Sequence, residues 1–232
     1  MSAPPKIVLI GDSYGCPRVH GNVVDVPVEL TFPELVKAEA GVDFEVEHDF
    51  LFRRKLVDCP EVLKRLLPAD MVFVHAGIVD CFPRPLSERN TQSQQMLVKA
   101  YRKLITQPFR REILSYVNRR YWSSEAQLVQ ALEKLYEQVK SCNAKLGLIT
   151  VVPINRVLDG IAPGAQEDIF AFNDLLRAFA AKYPETVFVV DVQSAAISKG
   201  YQNFIHQGDC HLNKAGNRLL ADMILERSKL LH

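Results

Sequence analysis

The amino-acid sequence predicts a three-layer α/β/α sandwich around a five-stranded parallel sheet. Short apolar runs, nearly continuous as in strands covered on both faces, alternate with longer segments of helical period. At 232 residues with 48% hydrophobic side chains, the chain fits a single domain, 1–232, with a sizeable core. Strands that alternate with helices form right-handed crossovers, which place helices on both faces of one sheet.

The predicted elements follow these patterns in order. Strands are expected at 6–10, 43–48 (the weakest run), 71–75, 146–152 and 187–192. The first helix, 31–40, has clear boundaries, because Thr31 is a suitable N-cap, Pro33 lies in the first turn and Gly41 follows the end. Further helices are expected at 60–67, 89–106, 109–121, 124–141, 166–182 and 213–230.

The connection after the third strand is longer than a crossover needs. Residues 86–122 are therefore expected to form a helical insertion or lid. Cations interleave with aromatic residues there, at Arg102, Lys103, Arg110, Arg111, Arg119 and Arg120. Two interpretations are open: the segment grips a phosphorylated, carboxylated or sugar-bearing substrate, or it is an ordinary amphipathic helix with a charged face. Its helical apolar spacing favours the second.

Global charge and cysteine content narrow the class of protein. A net charge of +1 and a pI near 7.7 give no reason to expect nucleic acid or a membrane surface as a partner. The first residues lack a charged leader, and no apolar stretch approaches the ~18 residues of a spanning helix. Five cysteines without CxxC spacing fit reduced thiols. A soluble cytoplasmic protein is expected, whose oligomeric state is open.

Two motifs near opposite ends of the chain carry the chemistry. Gly11-Asp12-Ser13 ends the first strand in a turn, where a hydroxyl lies beside backbone N–H groups that can hold an oxyanion. A candidate base, His211, stands at the entry to the last helix. Because ligands bind outside the carboxyl ends of parallel strands, both side chains are expected at one rim of the sheet.

Together these motifs resemble the SGNH, or GDSL-type, hydrolase superfamily over the whole chain. Gly11-Asp12-Ser13 matches its nucleophile block, and His211-Leu-Asn-Lys-Ala-Gly is similar to its last block. Gly77-Ile-Val-Asp80 is similar to the third block, with Val79 where the family has an oxyanion-binding asparagine. The run Gly77 to Cys81 followed by Pro83-Arg84 is also similar to a bacterial subset often met with glycan-assembly enzymes.

The sequence also departs from the family pattern in the second and the last blocks. No glycine lies between Gly41 and Gly77, where the second block should supply one. The acid expected three residues before His211 is instead Asp209, two residues before it.

The resemblance implies a flavodoxin-like fold and acyl transfer through an acyl-serine. Ser13 is the expected nucleophile and His211 the base and acid. Either Asp209 or a backbone carbonyl orients the imidazole. The oxyanion would meet the Ser13 N–H and a second donor, for which Arg53 and Arg54 are candidates unless they form a solvated basic loop. Further oxyanion or substrate-binding candidates are Asp12, Gly77, Asp80 and Arg84.

The expected function is a serine esterase or deacylase that removes an O-acyl group, such as acetyl, from a sugar or glycan precursor. One alternative is an acyltransferase that passes the acyl group to an alcohol acceptor. Another is a catalytically silent glycan-binding domain. No cofactor or metal is expected, because Cys16, Cys81 and Cys210 suit packing better than a zinc site with His211.

Overall fold

A five-stranded parallel sheet forms the centre of the computed structural model, which describes residues 3–20, 23–89, 94–117, 119–207 and 209–231. The strands are β1 (Lys6–Gly11), β2 (Arg18–His20), β3 (Val23–Val26), β4 (Glu45–Phe50), β5 (Met71–His75), β6 (Lys145–Ile149) and β7 (Val187–Val190). The central sheet has the order β4-β1-β5-β6-β7, and all its neighbours are parallel. Strands β2 and β3 form a separate antiparallel pair.

Helices cover both faces of the sheet, so the predicted three-layer sandwich is confirmed. They are α1 (Phe32–Ala40), α2 (Cys59–Leu66), α3 (Ile78–Cys81), α4 (Met96–Tyr101), α5 (Arg110–Glu112), α6 (Glu125–Ser141), α7 (Arg156–Ile161), α8 (Ala165–Lys182), α9 (Val192–Ser198) and α10 (Lys214–Ser228). Helix α1 packs on α10, and α2 packs on α6. No helix within the described ranges combines the length and the apolar character needed to cross a bilayer.

The burial of the central strands explains why the sheet could be predicted from the sequence. Ile7 to Ile10 and Met71 to Val74 are buried, because both strands are covered on both faces. The strand order reverses between β1 and β5, since the chain leaves β1 for one edge and returns to β5 on its other side. Such a reversal opens a crevice outside the carboxyl ends of the strands. Ser13 follows β1 at this point.

The structure corrects several predicted element boundaries. The last predicted strand, 187–192, ends at Val190 because the Asp191 carboxylate caps α9 by accepting from the Ser194 N–H at 3.0 Å. Thr31 precedes α1 but does not cap it, since its hydroxyl donates to the Val28 carbonyl at 2.7 Å. The first amide of α1, that of Phe32, donates instead to the Asn217 side chain of α10 at 2.9 Å.

The predicted insertion, 86–122, is helical but irregular. Helix α4 continues into a π-helical segment, Arg102–Thr106, and α5 continues into another, Ile113–Val117. These segments fall within the predicted helices 89–106 and 109–121, of which residues 90–93 and 118 lie outside the described residues.

Candidate active site

The turn that carries Ser13 is closed by its neighbours. Strand β1 ends at Gly11, where a Cβ would lie 2.2 Å from the His75 carbonyl oxygen, so only glycine fits. Asp12 then caps the 3₁₀ turn Ser13–Gly15, because its carboxylate accepts from the Tyr14 N–H at 3.1 Å. The turn exposes only 4% of Ser13 and fixes the direction of its hydroxyl.

Ser13, His211 and Asp209 form a continuous hydrogen-bonded relay. Ser13 Oγ lies 2.7 Å from His211 Nε2, although the two residues are 198 positions apart in the chain. The other ring nitrogen, Nδ1, lies 2.7 Å from Asp209 Oδ1. The Asp209 carboxylate therefore reaches the imidazole in spite of the two-residue spacing.

The loop before α10 makes the two-residue spacing workable. The Cys210 N–H donates to Asp209 Oδ1 at 2.6 Å, which turns the carboxylate back toward the next residues. Asn155, the N-cap of α7, donates from Nδ2 to the backbone carbonyls of His206 at 3.1 Å and Asp209 at 3.3 Å. The Tyr14 hydroxyl donates to the Cys210 carbonyl and thus ties the histidine loop to the serine turn.

A cation that the sequence analysis missed completes the relay. The Arg18 guanidinium donates to Oδ2 of Asp209 and forms an ion pair with it. Burial lowers the pKa of Arg18, while nearby thiols, Tyr14 and Asp25 oppose the change. Arg18 lies on β2, five residues after Ser13, and belongs to no motif, so only the folded hairpin brings it to Asp209.

Asp12 lies behind Ser13 and does not line the cavity. Its Oδ1 is 3.8 Å from His75 Nδ1, and both side chains are fully buried. The Tyr14 ring stacks on His75 with ring centroids 4.5 Å apart, and burial raises the pKa of Tyr14. The substrate-binding role considered for Asp12 therefore has no support in its position, which is that of a turn cap.

The relay opens into a cavity of about 290 Å³. Besides Ser13, His211 and Asp209, its lining consists of Phe52, Arg53, Ile78, Val79, Phe82, Arg84, Arg110, Leu158, Ile161 and Cys210. The apolar part suits a short acyl chain, and the remainder contributes three guanidinium groups. Val79 lines the cavity with a side chain that has no hydrogen-bond donor, so it cannot bind an oxyanion as the asparagine of the family pattern would.

The two adjacent arginines proposed as donors have different positions. Arg54 is buried beneath the ends of β1 and β4, where its guanidinium donates to the Gly11 carbonyl at 3.1 Å and to the Asp49 carboxylate at 2.6 Å. These bonds make it structural, and it does not line the cavity. Arg53 does line it, with φ of +66°, the left-handed region that favours glycine. Arg53 thus occupies the backbone conformation for which a glycine was expected.

Gly77 and Asp80 also have structural positions. Gly77 precedes α3 with φ of +139°, and a Cβ there would lie 2.2 Å from the Phe172 ring. The Asp80 carboxylate accepts from the Leu56 N–H at 2.8 Å and from the Ser123 hydroxyl. Burial raises the pKa of Asp80 to about 6. Asp80 faces a separate cavity of about 740 Å³ between α3, α6 and α8.

The insertion contributes one side chain to the rim. Arg110 of α5 lines the cavity and donates to the Pro83 carbonyl at 3.2 Å. Arg119 instead pairs with Asp168 of α8, and Arg111 and Arg120 are exposed. Arg84 and Arg120 form an antiparallel backbone bridge that ties the insertion to the end of α3.

One cluster within the described residues has metal-ligand chemistry, and it belongs to the relay. Donor atoms of Asp209, Cys210 and His211 lie within 4.8 Å of one another. Both imidazole nitrogens are already hydrogen-bonded to Ser13 and Asp209. Burial raises the pKa of Cys210 to about 12, which keeps the thiol protonated. The cluster therefore fits proton transfer better than metal binding.

Comparison with known proteins identifies the fold. No protein-family model and no curated protein sequence matches the chain. Among solved structures, a lipase/acylhydrolase from Enterococcus faecalis is similar with a TM-score of 0.64 and 18% identity, over 96% of this chain and 94% of that one. A carbohydrate acetylesterase from Sinorhizobium meliloti has a TM-score of 0.61 and 16% identity, over 98% of this chain and 100% of that one. A lipolytic protein of the G-D-S-L family from Veillonella parvula has a TM-score of 0.58 and 18% identity, over 95% of this chain and 96% of that one.

These similarities extend over 94% or more of each chain, so the protein has the fold of the SGNH, or GDSL-type, hydrolases. At identities of 18% and below, the shared feature is the fold.

Proposed function

We propose that the protein is a serine esterase that removes a short O-acyl group, acetyl in particular, from a sugar or glycan precursor. The observation that carries the proposal is the Ser13–His211–Asp209 relay, in which both links are 2.7 Å. A hydroxyl, an imidazole and a carboxylate connected in this order activate serine for acyl transfer. The relay lies at the carboxyl end of β1 and faces a cavity.

The reaction follows from the geometry. Ser13 Oγ attacks the ester carbonyl carbon while its proton passes to His211 Nε2. Nε2 then gives this proton to the leaving alcohol oxygen, and an acyl-serine remains. A water molecule that loses its proton to the same nitrogen hydrolyses the acyl-serine, and the proton returns to Ser13. Asp209 accepts from the Nδ1–H and stabilises the imidazolium that forms in each step.

Two backbone N–H groups are assigned to the oxyanion. One is that of Ser13, at the start of its 3₁₀ turn, and the other is that of Arg53 beside the cavity. Within the described part of the chain, neither N–H has a backbone or side-chain acceptor. Each such donor is typically worth ~3 kcal/mol of transition-state stabilisation. Arg53 therefore takes over the part that the Val79 side chain cannot perform.

The substrate class rests on two supports. A cavity of about 290 Å³ accommodates a short acyl group and part of its alcohol. One similar structure is described as a carbohydrate acetylesterase, and the run Gly77 to Cys81 is similar to a subset met with glycan-assembly enzymes. The odd number of cysteines, five, fits reduced thiols and supports the cytoplasm as the compartment of the protein.

Turnover of 4-nitrophenyl acetate tests the proposal. Ser13→Ala is expected to lower kcat at least a thousandfold, because it removes the hydroxyl that lies 2.7 Å from His211 Nε2. Ser198→Ala, at an exposed serine of α9, is the matched control and should keep the wild-type rate. An unchanged rate for Ser13→Ala would refute the serine mechanism. An acylated alcohol in place of free acetate would identify an acyltransferase.

A further inference from the structure

Three arginines from separate segments converge on the active-site cavity. Arg53 follows β4, Arg84 follows α3 and Arg110 begins α5, and all three line the cavity that holds Ser13. None of the three forms an ion pair with a carboxylate in the described ranges. The one acid in the lining, Asp209, is already paired with Arg18. The cavity therefore holds three guanidinium groups that have no carboxylate partner among the described residues.

The fold holds two of these cations in unfavourable surroundings. Nε of Arg84 and Nε of Arg110 are buried without a hydrogen-bond partner. Burial, followed by repulsion from Arg110 and Arg53, lowers the pKa of Arg84 to about 10. Burial likewise lowers the pKa of Arg110. Buried donors and charges that lack partners destabilise a protein, so an anionic ligand would relieve a cost that the free protein carries.

Aromatic rings orient the three guanidinium groups. Arg84 stacks on Trp122 with its Cζ 4.1 Å from the ring centroid, the shortest of the three distances. Arg53 lies over Phe52 at 5.2 Å, and Arg110 over Phe82 at 5.5 Å. Stacking fixes the plane of a guanidinium and leaves its N–H edge available for oxygen atoms. These arginines are thus preorganised to receive an anion.

We propose that the three arginines bind a phosphoryl group on the alcohol part of the substrate, so that the natural ester is an O-acylated phosphate compound. The inference rests on the proposed esterase function. A phosphate monoester brings about −1.5 to −2 charges and three acceptor oxygens, whereas a carboxylate brings one charge and two oxygens. Three convergent cations match the phosphate better. The phosphoryl group is placed on the leaving alcohol, because the acyl group of the proposed ester is acetyl, which carries no phosphate.

Direct binding tests this site apart from catalysis. Full-length Ser13→Ala protein is titrated calorimetrically with glucose 1-phosphate, with glucose and with glucuronate. Trp122 is the single tryptophan of the chain and contacts Arg84, so a change in its fluorescence detects ligand binding at Arg84. We expect saturable binding of glucose 1-phosphate, at least tenfold weaker binding of glucuronate and no binding of glucose. Glucuronate binding as tight as glucose 1-phosphate would overturn the phosphoryl assignment.

Arginine variants in the same background locate the site. Arg84→Gln and Arg110→Gln should each weaken glucose 1-phosphate binding at least tenfold. Arg84→Lys, which keeps the charge, should bind glucose 1-phosphate more tightly than Arg84→Gln. If Arg84→Gln does not fold, Arg84→Lys is compared with the parent protein instead and should bind more weakly than the parent. Arg111→Gln, at an exposed neighbour on α5, is the control and should bind as the parent does. Equal affinity in all four variants would overturn the proposal.

The two proposals fail in different ways. If the Ser13→Ala protein binds glucose 1-phosphate but the wild-type protein has no esterase activity, the esterase is refuted and the phosphoryl site is supported. Turnover of neutral esters by a protein that does not bind glucose 1-phosphate would refute the phosphoryl site and support the esterase.

Discussion

The Arg18 guanidinium binds the oxygen of Asp209 that does not face His211. The arginine comes from β2, in a short hairpin outside the central sheet. The exposed fractions of the two side chains are 18% and 15%, so solvent screens the pair weakly. Under the proposed function Arg18 is a positioning residue, because it binds the carboxylate that contacts the imidazole.

Substitution of Arg18 should impair the chemical step. Arg18→Met leaves the Asp209 carboxylate buried without its cation, and we expect kcat to fall about tenfold as the carboxylate reorients. Arg18→Lys keeps the charge and should restore part of this loss. Steady-state kinetics with 4-nitrophenyl acetate measure both variants. Equal rates for Met and Lys at equal melting temperature would show that the charge has no positioning role.

His211 should matter more than Asp209. His211→Ala removes the group that carries the proton and is expected to lower kcat by about 10⁴-fold or more. Asp209→Ala removes only orientation and imidazolium stabilisation, so a smaller loss is expected. His48→Ala, at a histidine paired with Glu34 away from the cavity, is the control. Equal tolerance of His211→Ala and Asp209→Ala would contradict the assigned roles.

Arg53 should show the signature of a left-handed residue. At φ of +66° a residue with a Cβ is strained by roughly 1 kcal/mol relative to glycine. The free energy of unfolding of Arg53→Gly, measured by urea denaturation, is thus expected to be about 1 kcal/mol higher than that of Arg53→Ala. Glycine keeps the backbone conformation that directs the N–H of residue 53 toward the proposed oxyanion. The glycine variant should therefore also have a higher kcat than the alanine variant. A more stable alanine variant would argue against this backbone geometry.

Asp80 should make stability depend on pH. Its pKa is about 6 in the folded protein and near 3.8 when unfolded, so the folded state binds more protons between these values. Stability from this group is present below the unfolded value and falls as pH rises through the folded value. Asp80→Asn, which can keep both hydrogen bonds, should be about 3 kcal/mol more stable than wild type at pH 7 and lose this advantage near pH 4.

Thermal and urea unfolding across that pH range check the prediction for Asp80. Asp43→Asn, at an exposed carboxylate after α1, is the control. A stability difference between Asp80→Asn and wild type that does not change with pH would contradict the assigned titration.

The sheet could be predicted because its pattern is local. The run Ile7 to Ile10 is continuous since both faces are covered, and Gly11 ends it where no Cβ fits. The hairpin of β2 and β3 escaped prediction, because its strands are short and, among the residues that the structure describes, pair only with each other. Helix α9 was missed because the apolar run of β7 continues into its first residue, Val192.

The site could be predicted only in part, since its geometry depends on distant contacts. Ser13 and His211 stand in motifs that the sequence displays. Whether Asp209 reaches the ring depends on the Cys210 N–H and on Asn155 from α7, which spacing alone does not reveal. Arg53 and Arg54 are identical neighbours, and only the fold directs one to the cavity and the other to Asp49.

Covalent labelling of Ser13 tests the central claim most directly. The protein is treated with a fluorophosphonate probe, which reacts with a serine hydroxyl activated by an adjacent base. Mass spectrometry of the digested protein then locates the adduct. We expect one stoichiometric adduct on Ser13, lost in Ser13→Ala and in His211→Ala. A folded protein that remains unlabelled at Ser13, or that is labelled equally well without His211, would contradict the account.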